Sequence, residues 1–300
     1  MPVSLKSFVA KRKLKIMSGS NQKSTTMSIV RKHDIKAQKK YGQNFLTDDG
    51  VLDEIVEAAG VCERDHIVEI GPGLGALTKR LAEKASHVTA IEIDTQMIPV
   101  LDEVLEGFDN TRVICAAVLK TDMKEIAETY PGEDVKVVAN LPYYITTPIV
   151  TSLLESGIGY KSITVMVQTE VAERMQTGPG SKDYGALSLA VQYYSKPEIM
   201  IDVPPECFYP MPGVGSSVIK LDLYDEPPVK VSDPAFMFRI IKASFMQRRK
   251  TLQNALQNNP DTKISREKTV SALEKLGLDP MIRGEALTLE QFAGLTDLLV

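Results

Sequence analysis

His66-Ile67-Val68-Glu69-Ile70-Gly71-Pro72-Gly73-Leu74-Gly75 is a β-branched run that breaks into three alternate glycines and gives way to an amphipathic stretch from about Ala76. A strand that turns sharply into a helix is the repeating unit of a doubly wound α/β sheet. Outward from it the alternation continues. Strand-like runs stand at residues 66–70, 87–93, 112–116, 135–139 and 162–168, with helical patterns in the intervals. Two further runs, 198–203 and 216–223, are joined by a proline-rich loop too short for a crossover helix, so they are expected to pair antiparallel as a hairpin. Asp225 to Pro234 reads as a linker, and nothing after it has strand character. The expected organisation is an α/β unit over residues 25–225 and a smaller all-α unit over 226–300, preceded by a basic extension at 1–24.

The chain has 300 residues, 43% hydrophobic and 25% charged, which is the composition of a soluble globular protein with a sizeable core. No apolar run reaches membrane-spanning length, so no membrane partner is expected. Cys62, Cys115 and Cys207 are far apart and lack a CxxC or a neighbouring His, which speaks against zinc, any other metal site and a disulfide framework. A reducing, cytoplasmic setting follows. The net charge of −4 hides an asymmetry: residues 1–40 carry eleven Lys and Arg against Asp34 alone, leaving the other 260 residues at −14. Three readings fit that arm: a phosphate-binding tail, a solvated tail, or an organelle presequence, the last because residues 1–20 are acid-free with scattered apolar positions. Met17 or Met27 could equally be the start.

The glycine loop suits a ligand whose atoms approach the backbone over the start of the following helix. Its pattern, G-x-G-x-x-A, also satisfies the dinucleotide fingerprint, and such turns often serve packing alone. The next strand ends Ile91-Glu92-Ile93-Asp94, placing an acid about twenty residues on, where a carboxylate can accept both hydroxyls of a ribose. Glu92 is the better candidate because Asp94 stands where a helix N-cap is wanted. Dinucleotides and S-adenosylmethionine both carry a ribose, so the acid does not separate them.

Asn140-Leu141-Pro142-Tyr143, at the end of run 135–139, does. The exocyclic N6 amine of adenine is a poor nucleophile because its lone pair is delocalised into the ring. The Asn140 side-chain oxygen and the Leu141 carbonyl can accept both N–H bonds and draw the nitrogen toward pyramidal geometry, freeing the lone pair to attack a methyl sulfonium. Pro142 stiffens the turn, and Tyr143 offers a face on which an extruded base can stack. The alternative is an ordinary strand-end turn with Tyr143 in the core.

Tyr41-Gly42-Gln43-Asn44-Phe45-Leu46, the glycine loop, Ile91 to Asp94, Asn140 to Tyr144 and the segment Phe245 to Leu252, with its Gln247-Arg248-Arg249-Lys250 centre, together resemble the ribosomal RNA adenine dimethyltransferases, more narrowly the type acting on the small subunit. The resemblance spans about residues 25–300. It implies a Rossmann-like class I methyltransferase sheet with S-adenosyl-L-methionine as cofactor. The implied substrate is a pair of adjacent adenosines in a hairpin near the 3′ end of small-subunit rRNA, within an immature subunit, and a monomer is expected. By the same resemblance Gln43, Asn44, Leu46, Gly71, Gly73, Glu92 and Asn140 would contact the cofactor, and Phe208 would sandwich the target base opposite Tyr143. Arg248, Arg249 and Lys250 would contact phosphates; as residues alone they could be a solvated helix face.

Two positions depart from the family. Ala117 stands where the family carries an Asp that accepts the cofactor's adenine amine, and Gly215 stands where Asp is usual. Three rivals follow: a non-catalytic assembly factor of the same fold, a large-subunit methyltransferase of the erythromycin-resistance type, and, on the glycine pattern alone, a nicotinamide-dependent oxidoreductase.

Overall fold

The computed structural model describes residues 25–300, so the basic extension at 1–24 and its alternative readings lie outside the described residues. A seven-stranded sheet organises the chain. Its strands are β2 (Asp65–Ile70), β3 (His87–Glu92), β4 (Thr111–Cys115), β5 (Asp134–Asn140), β6 (Ser162–Gln168), β7 (Ser195–Val203) and β9 (Ser216–Leu223), in the order β4-β3-β2-β5-β6-β9-β7. The first five are parallel, and β9 runs antiparallel between β6 and β7. The expected hairpin is therefore present, and its second strand also closes onto the parallel sheet. β1 (Phe45–Leu46) and β8 (Phe208–Tyr209) form a separate two-stranded antiparallel ribbon that no periodicity announces.

The central parallel strands are largely apolar because helices cover both faces, although β2 also buries Asp65, His66 and Glu69. On one face Val68, Val137 and Val165 pack with Ile149 and Leu153 of α6 (Thr146–Glu155); on the other Ile67, Val138 and Met166 meet Leu52 and Ile55 of α2 (Asp49–Ala59) and Leu77 and Leu81 of α3 (Ala76–Ala82). After β9 the chain is helical: α9 (Pro234–Met246), α10 (Leu252–Asn258), α11 (Arg266–Lys275) and α12 (Leu289–Leu299) share a third core around Ile240, Leu256, Leu273 and Phe292. Helix α8 (Ala186–Tyr194) serves both cores. Leu187 and Val191 face the sheet while Leu189 and Tyr193 join the helical cluster.

β2 is the topological switch point: its neighbours are β3 on one side and β5 on the other. The connections leaving those strands diverge, and a crevice opens at their C-terminal ends. Asp94 is not a helix N-cap. The chain turns through Thr95 and Gln96, and α4 (Ile98–Val104) starts only after Met97, so Asp94 Oδ1 accepts the Gln96 N–H at 3.2 Å in a local turn. Among the described residues no helix is long and apolar enough to cross a membrane.

Candidate active site

The crevice is walled by the glycine loop after β2, Glu92 and Ile93 at the end of β3, Asn140 to Tyr144 at the end of β5, and the segment Tyr41 to Leu46. Gly71 and Gly75 answer different needs. Both hold positive φ, at 71° and 76°. A Cβ on Gly75 would lie 3.0 Å from Leu101 and 3.2 Å from Val104, so that glycine lets the loop press against α4. A Cβ on Gly71 would meet only the Asn140 carbonyl, at 3.9 Å, and leaves the backbone open toward the crevice.

Glu92 is buried and spans two elements: Oε2 accepts the Gly73 N–H at 3.1 Å and Oε1 the Asp94 N–H at 2.7 Å. Burial raises its carboxyl above the usual range in spite of those hydrogen bonds. Glu69, which the sequence reading passed over, is a second buried acid on the same wall. Desolvation pushes it up to about 8, helped by the nearby Glu92 charge. The neighbouring Thr78 hydroxyl works against that rise without cancelling it. The signal for Glu69 was its place on an all-buried strand end, a weak one while the run could equally be apolar packing.

On the opposite wall Asn140 Nδ2 donates to the Asn44 carbonyl at 3.4 Å, which turns the side-chain oxygen to the acceptor role. The Leu141 N–H is held by the Met166 carbonyl at 3.1 Å, and the Pro142 carbonyl takes the Ile145 N–H and the Thr146 hydroxyl, so the turn is braced at both ends. Tyr143 lines the crevice with its hydroxyl 2.8 Å from Ser216 Oγ; burial raises its phenol. Tyr144, which ends the Asn140 to Tyr144 motif and was given no role of its own, is 61% exposed at the mouth. Asn44 donates from Nδ2 to the Gly42 carbonyl at 3.2 Å.

The crevice thus unites Gln43, Asn44, Leu46, Gly71, Gly73, Glu92, Asn140, Leu141, Pro142 and Tyr143. Phe208 is not among its walls. It lies opposite Leu46 in the β1–β8 ribbon, 5% exposed, in the core with Leu52 and Ile201. Alternation along a two-residue strand explains this: Phe208 points inward, and Tyr209, 42% exposed, points out. Ala117 is also outside the walls, just beyond β4, where its carbonyl accepts the Lys120 N–H and the Thr121 hydroxyl.

Arg248, Arg249 and Lys250 sit in the turn between α9 and α10 rather than on a helix face. Arg248 is engaged within the protein. Its Nη2 donates to the Tyr184 carbonyl at 2.9 Å and its Nε lies 3.8 Å from Glu285. All three are exposed, Arg248 with 42% of its side chain accessible.

A model of the family described as "Ribosomal RNA adenine dimethylase" matches residues 34–293. The chain is similar to the ribosomal RNA small subunit methyltransferase A of Lachnoclostridium phytofermentans, with 51% identity over 276 residues, covering 91% of this chain and 95% of that relative. Among solved structures it resembles a dimethyladenosine transferase from Plasmodium falciparum, with a TM-score of 0.69 at 27% identity over 84% of this chain and 95% of that one. It also resembles the 23S rRNA methyltransferase ErmE, with a TM-score of 0.63 at 26% identity over 85% of this chain and 99% of that one.

Proposed function

The chain belongs to the ribosomal RNA adenine dimethylase family, and from that premise we propose that it methylates the N6 amines of two adjacent adenosines in a hairpin near the 3′ end of small-subunit rRNA. The product is N6,N6-dimethyladenosine, the methyl donor is S-adenosylmethionine, and the setting is an immature small subunit in the cytoplasm, with the enzyme acting as a monomer. The observation that carries the reading is the single crevice in which the Asn140 to Tyr143 turn faces Gly71 and Glu92. The small-subunit reading is favoured over the large-subunit one by 51% identity to a small-subunit enzyme against 26% to ErmE.

S-adenosylmethionine, when bound, supplies an electrophilic methyl group on a positively charged sulfur. Two buried carboxyls, Glu69 and Glu92, stand on one wall, and burial favours the protonated form of both. Glu92 would hold the ribose hydroxyls with the lone pairs its two backbone hydrogen bonds leave over. Asn44, Leu46 and Gln43 would close the other side, with Gly71 and Gly73 giving close backbone approach. Asn140 would receive one N–H of the adenine amine at its side-chain oxygen and the Leu141 carbonyl the other, which localises the nitrogen lone pair. Tyr143 would stack on the extruded base, its ring held by Ser216. Arg249 and Lys250 would contact phosphates. Phe208, buried in the core, is assigned packing, and Arg248, exposed like its two neighbours, would share in the phosphate contacts.

Small subunits lacking this modification, incubated with the protein and S-adenosylmethionine, test the reading by mass spectrometry of their adenosines. Four methyl groups on two neighbouring adenosines of small-subunit RNA are expected. No methylation of those adenosines would overturn it.

A further inference from the structure

The segment that closes the crevice is anchored by apolar contacts at its ends and by polar ones between. Val30, in α1 (Thr25–Lys32), and Phe45 sit in a small core with Leu74, Met97 and Leu101. Between them the chain from Gln38 to Asn44 meets the body of the protein at Asp94. Asp94 Oδ2 accepts the Gln38 Nε2 at 2.9 Å and the Gln43 Nε2 at 2.8 Å. Gln43 Oε1 in turn accepts the Gln38 N–H at 2.8 Å, which fixes the orientation of its amide. Asp94 is 2% exposed, while the two glutamines are half-buried and Gln38 Nε2 donates also to Gln96 Oε1 at 2.8 Å. The Asp94 N–H goes to Glu92 Oε1 at 2.7 Å, and Glu92 Oε2 takes the Gly73 N–H at 3.1 Å. One hydrogen-bonded chain therefore runs from the glycine loop through Glu92 and Asp94 to Gln43, next to Asn44. The pairs of Lys32 and His33 with Glu103 join the same two bodies, but they involve partly exposed side chains that contribute little.

We propose that Asp94 is a positioning residue for cofactor binding: through Gln38 and Gln43 it latches the segment 38–46 across the crevice. The proposal rests on the reading of that crevice as the cofactor site. The latch needs an acceptor, because two amide donors converge on one oxygen. Asn in place of Asp would have to present an NH2 either to those donors or to the Gln96 N–H.

Amide hydrogen exchange of residues 38–46 in the ligand-free protein, and calorimetric binding of S-adenosylmethionine, are measured for wild type, Asp94→Asn and Gln38→Ala; the last alters only a half-buried side chain and keeps the fold testable. In Asp94→Asn the segment is expected to exchange faster while β2 does not, and affinity to fall about tenfold. KM for the cofactor should rise more than kcat falls. Gln38→Ala should shift both readouts in the same direction by less. Gln43→Glu should weaken binding by setting two carboxylates together, and Asp94→Asn combined with Gln43→Glu should recover part of the loss, since the introduced amide can then donate to the introduced carboxylate. Unchanged exchange in Asp94→Asn, or a loosened segment with unchanged affinity, would overturn the latch alone. A wild-type protein that binds no S-adenosylmethionine would overturn the methyltransferase reading, and the latch with it.

Discussion

The Tyr143 hydroxyl lies 2.8 Å from the Ser216 hydroxyl, so the ring walling the crevice is tethered at its far end to the first residue of β9. Tyr143→Phe deletes one neutral hydrogen bond, worth about 1 kcal/mol, and keeps the π-face. Tyr143→Ala removes a stacking surface worth about 1 to 3 kcal/mol per base. In methyl transfer to unmodified small subunits, the Phe variant should stay within about fivefold of wild type. The Ala variant should lose far more. Equal losses would shift the role from the ring to the hydroxyl.

Asn140→Ala should separate chemistry from binding. The contact between the Asn140 oxygen and the amine strengthens as the nitrogen pyramidalises, so it acts on the transition state more than on the bound RNA. Transfer should fall by about a hundredfold or more, with RNA affinity nearly unchanged. RNA binding that collapses along with activity would make the residue structural.

Two buried groups give stability opposite pH dependences. Burial raises Glu69 from 4.5 to about 8 and lowers His66 from 6.5 to about 4. Folded Glu69 keeps its proton where the unfolded chain has lost it, so its contribution is full below 4.5 and is lost as pH rises toward 8. Folded His66 stays neutral, so its contribution is full above 6.5 and is lost as pH falls toward 4. Denaturant unfolding of wild type and Glu69→Gln at about pH 5.5 and 8.5 should show the variant losing less stability across that span, by at least about 1 kcal/mol. The acid-side decline should be alike in both. Parallel curves over the whole range would mean that Glu69 ionises normally in the fold.

Arg248 differs from its two neighbours. Its guanidinium donates to the Tyr184 carbonyl at 2.9 Å and so ties the α9–α10 turn to the chain ahead of α8. Arg248→Ala should lower stability by about 1 kcal/mol. Arg249→Ala and Lys250→Ala should leave stability unchanged and flatten the salt dependence of RNA binding by up to about one unit per contact. An unchanged salt slope in the double variant would make both residues solvent-facing only.

The sheet was legible because strands buried on both faces must be apolar and must end in turns, as Ile67 to Gly75 do. The Asn140 turn was legible as a wall of the crevice because it follows directly on a strand of the parallel sheet, whose C-terminal edge is where such crevices open. What escaped depends on contacts distant in sequence. Phe45 and Leu46 pair with Tyr209 and Phe208 over two residues each, too few for any period, and that pairing turns Phe208 into the core. Asp94 looked like a cap because one-dimensional spacing cannot show two glutamines arriving from more than fifty residues away. Glu69 stood inside the quoted motif, yet its elevated proton affinity comes from burial that sequence does not display.

Ala117 follows β4, whose Cys115 pairs in register with Glu92, and the Ala116 N–H bonds the Glu92 carbonyl at 2.8 Å. It therefore stands one strand over from the acid proposed to hold the ribose, and the resemblance to the family implies an Asp there for the cofactor's adenine amine. A buried amine without an acceptor costs about 1 to 3 kcal/mol unless water takes the place. At a factor of ten per 1.4 kcal/mol, this is about fivefold to a hundredfold in affinity. Ala117→Asp should tighten S-adenosylmethionine binding within that range and raise transfer at low cofactor. At saturation the rate should hardly change, because the contact is the same in ground and transition states and so acts on binding rather than on the chemical step. The substitution also asks little of the backbone, since Ala117 has extended φ and ψ of −84° and 119° ahead of a short 3-10 turn, where Asp is well tolerated. Calorimetric titration of the two proteins decides it. Binding no tighter in Ala117→Asp would mean that the adenine amine already has an acceptor or lies elsewhere in the crevice.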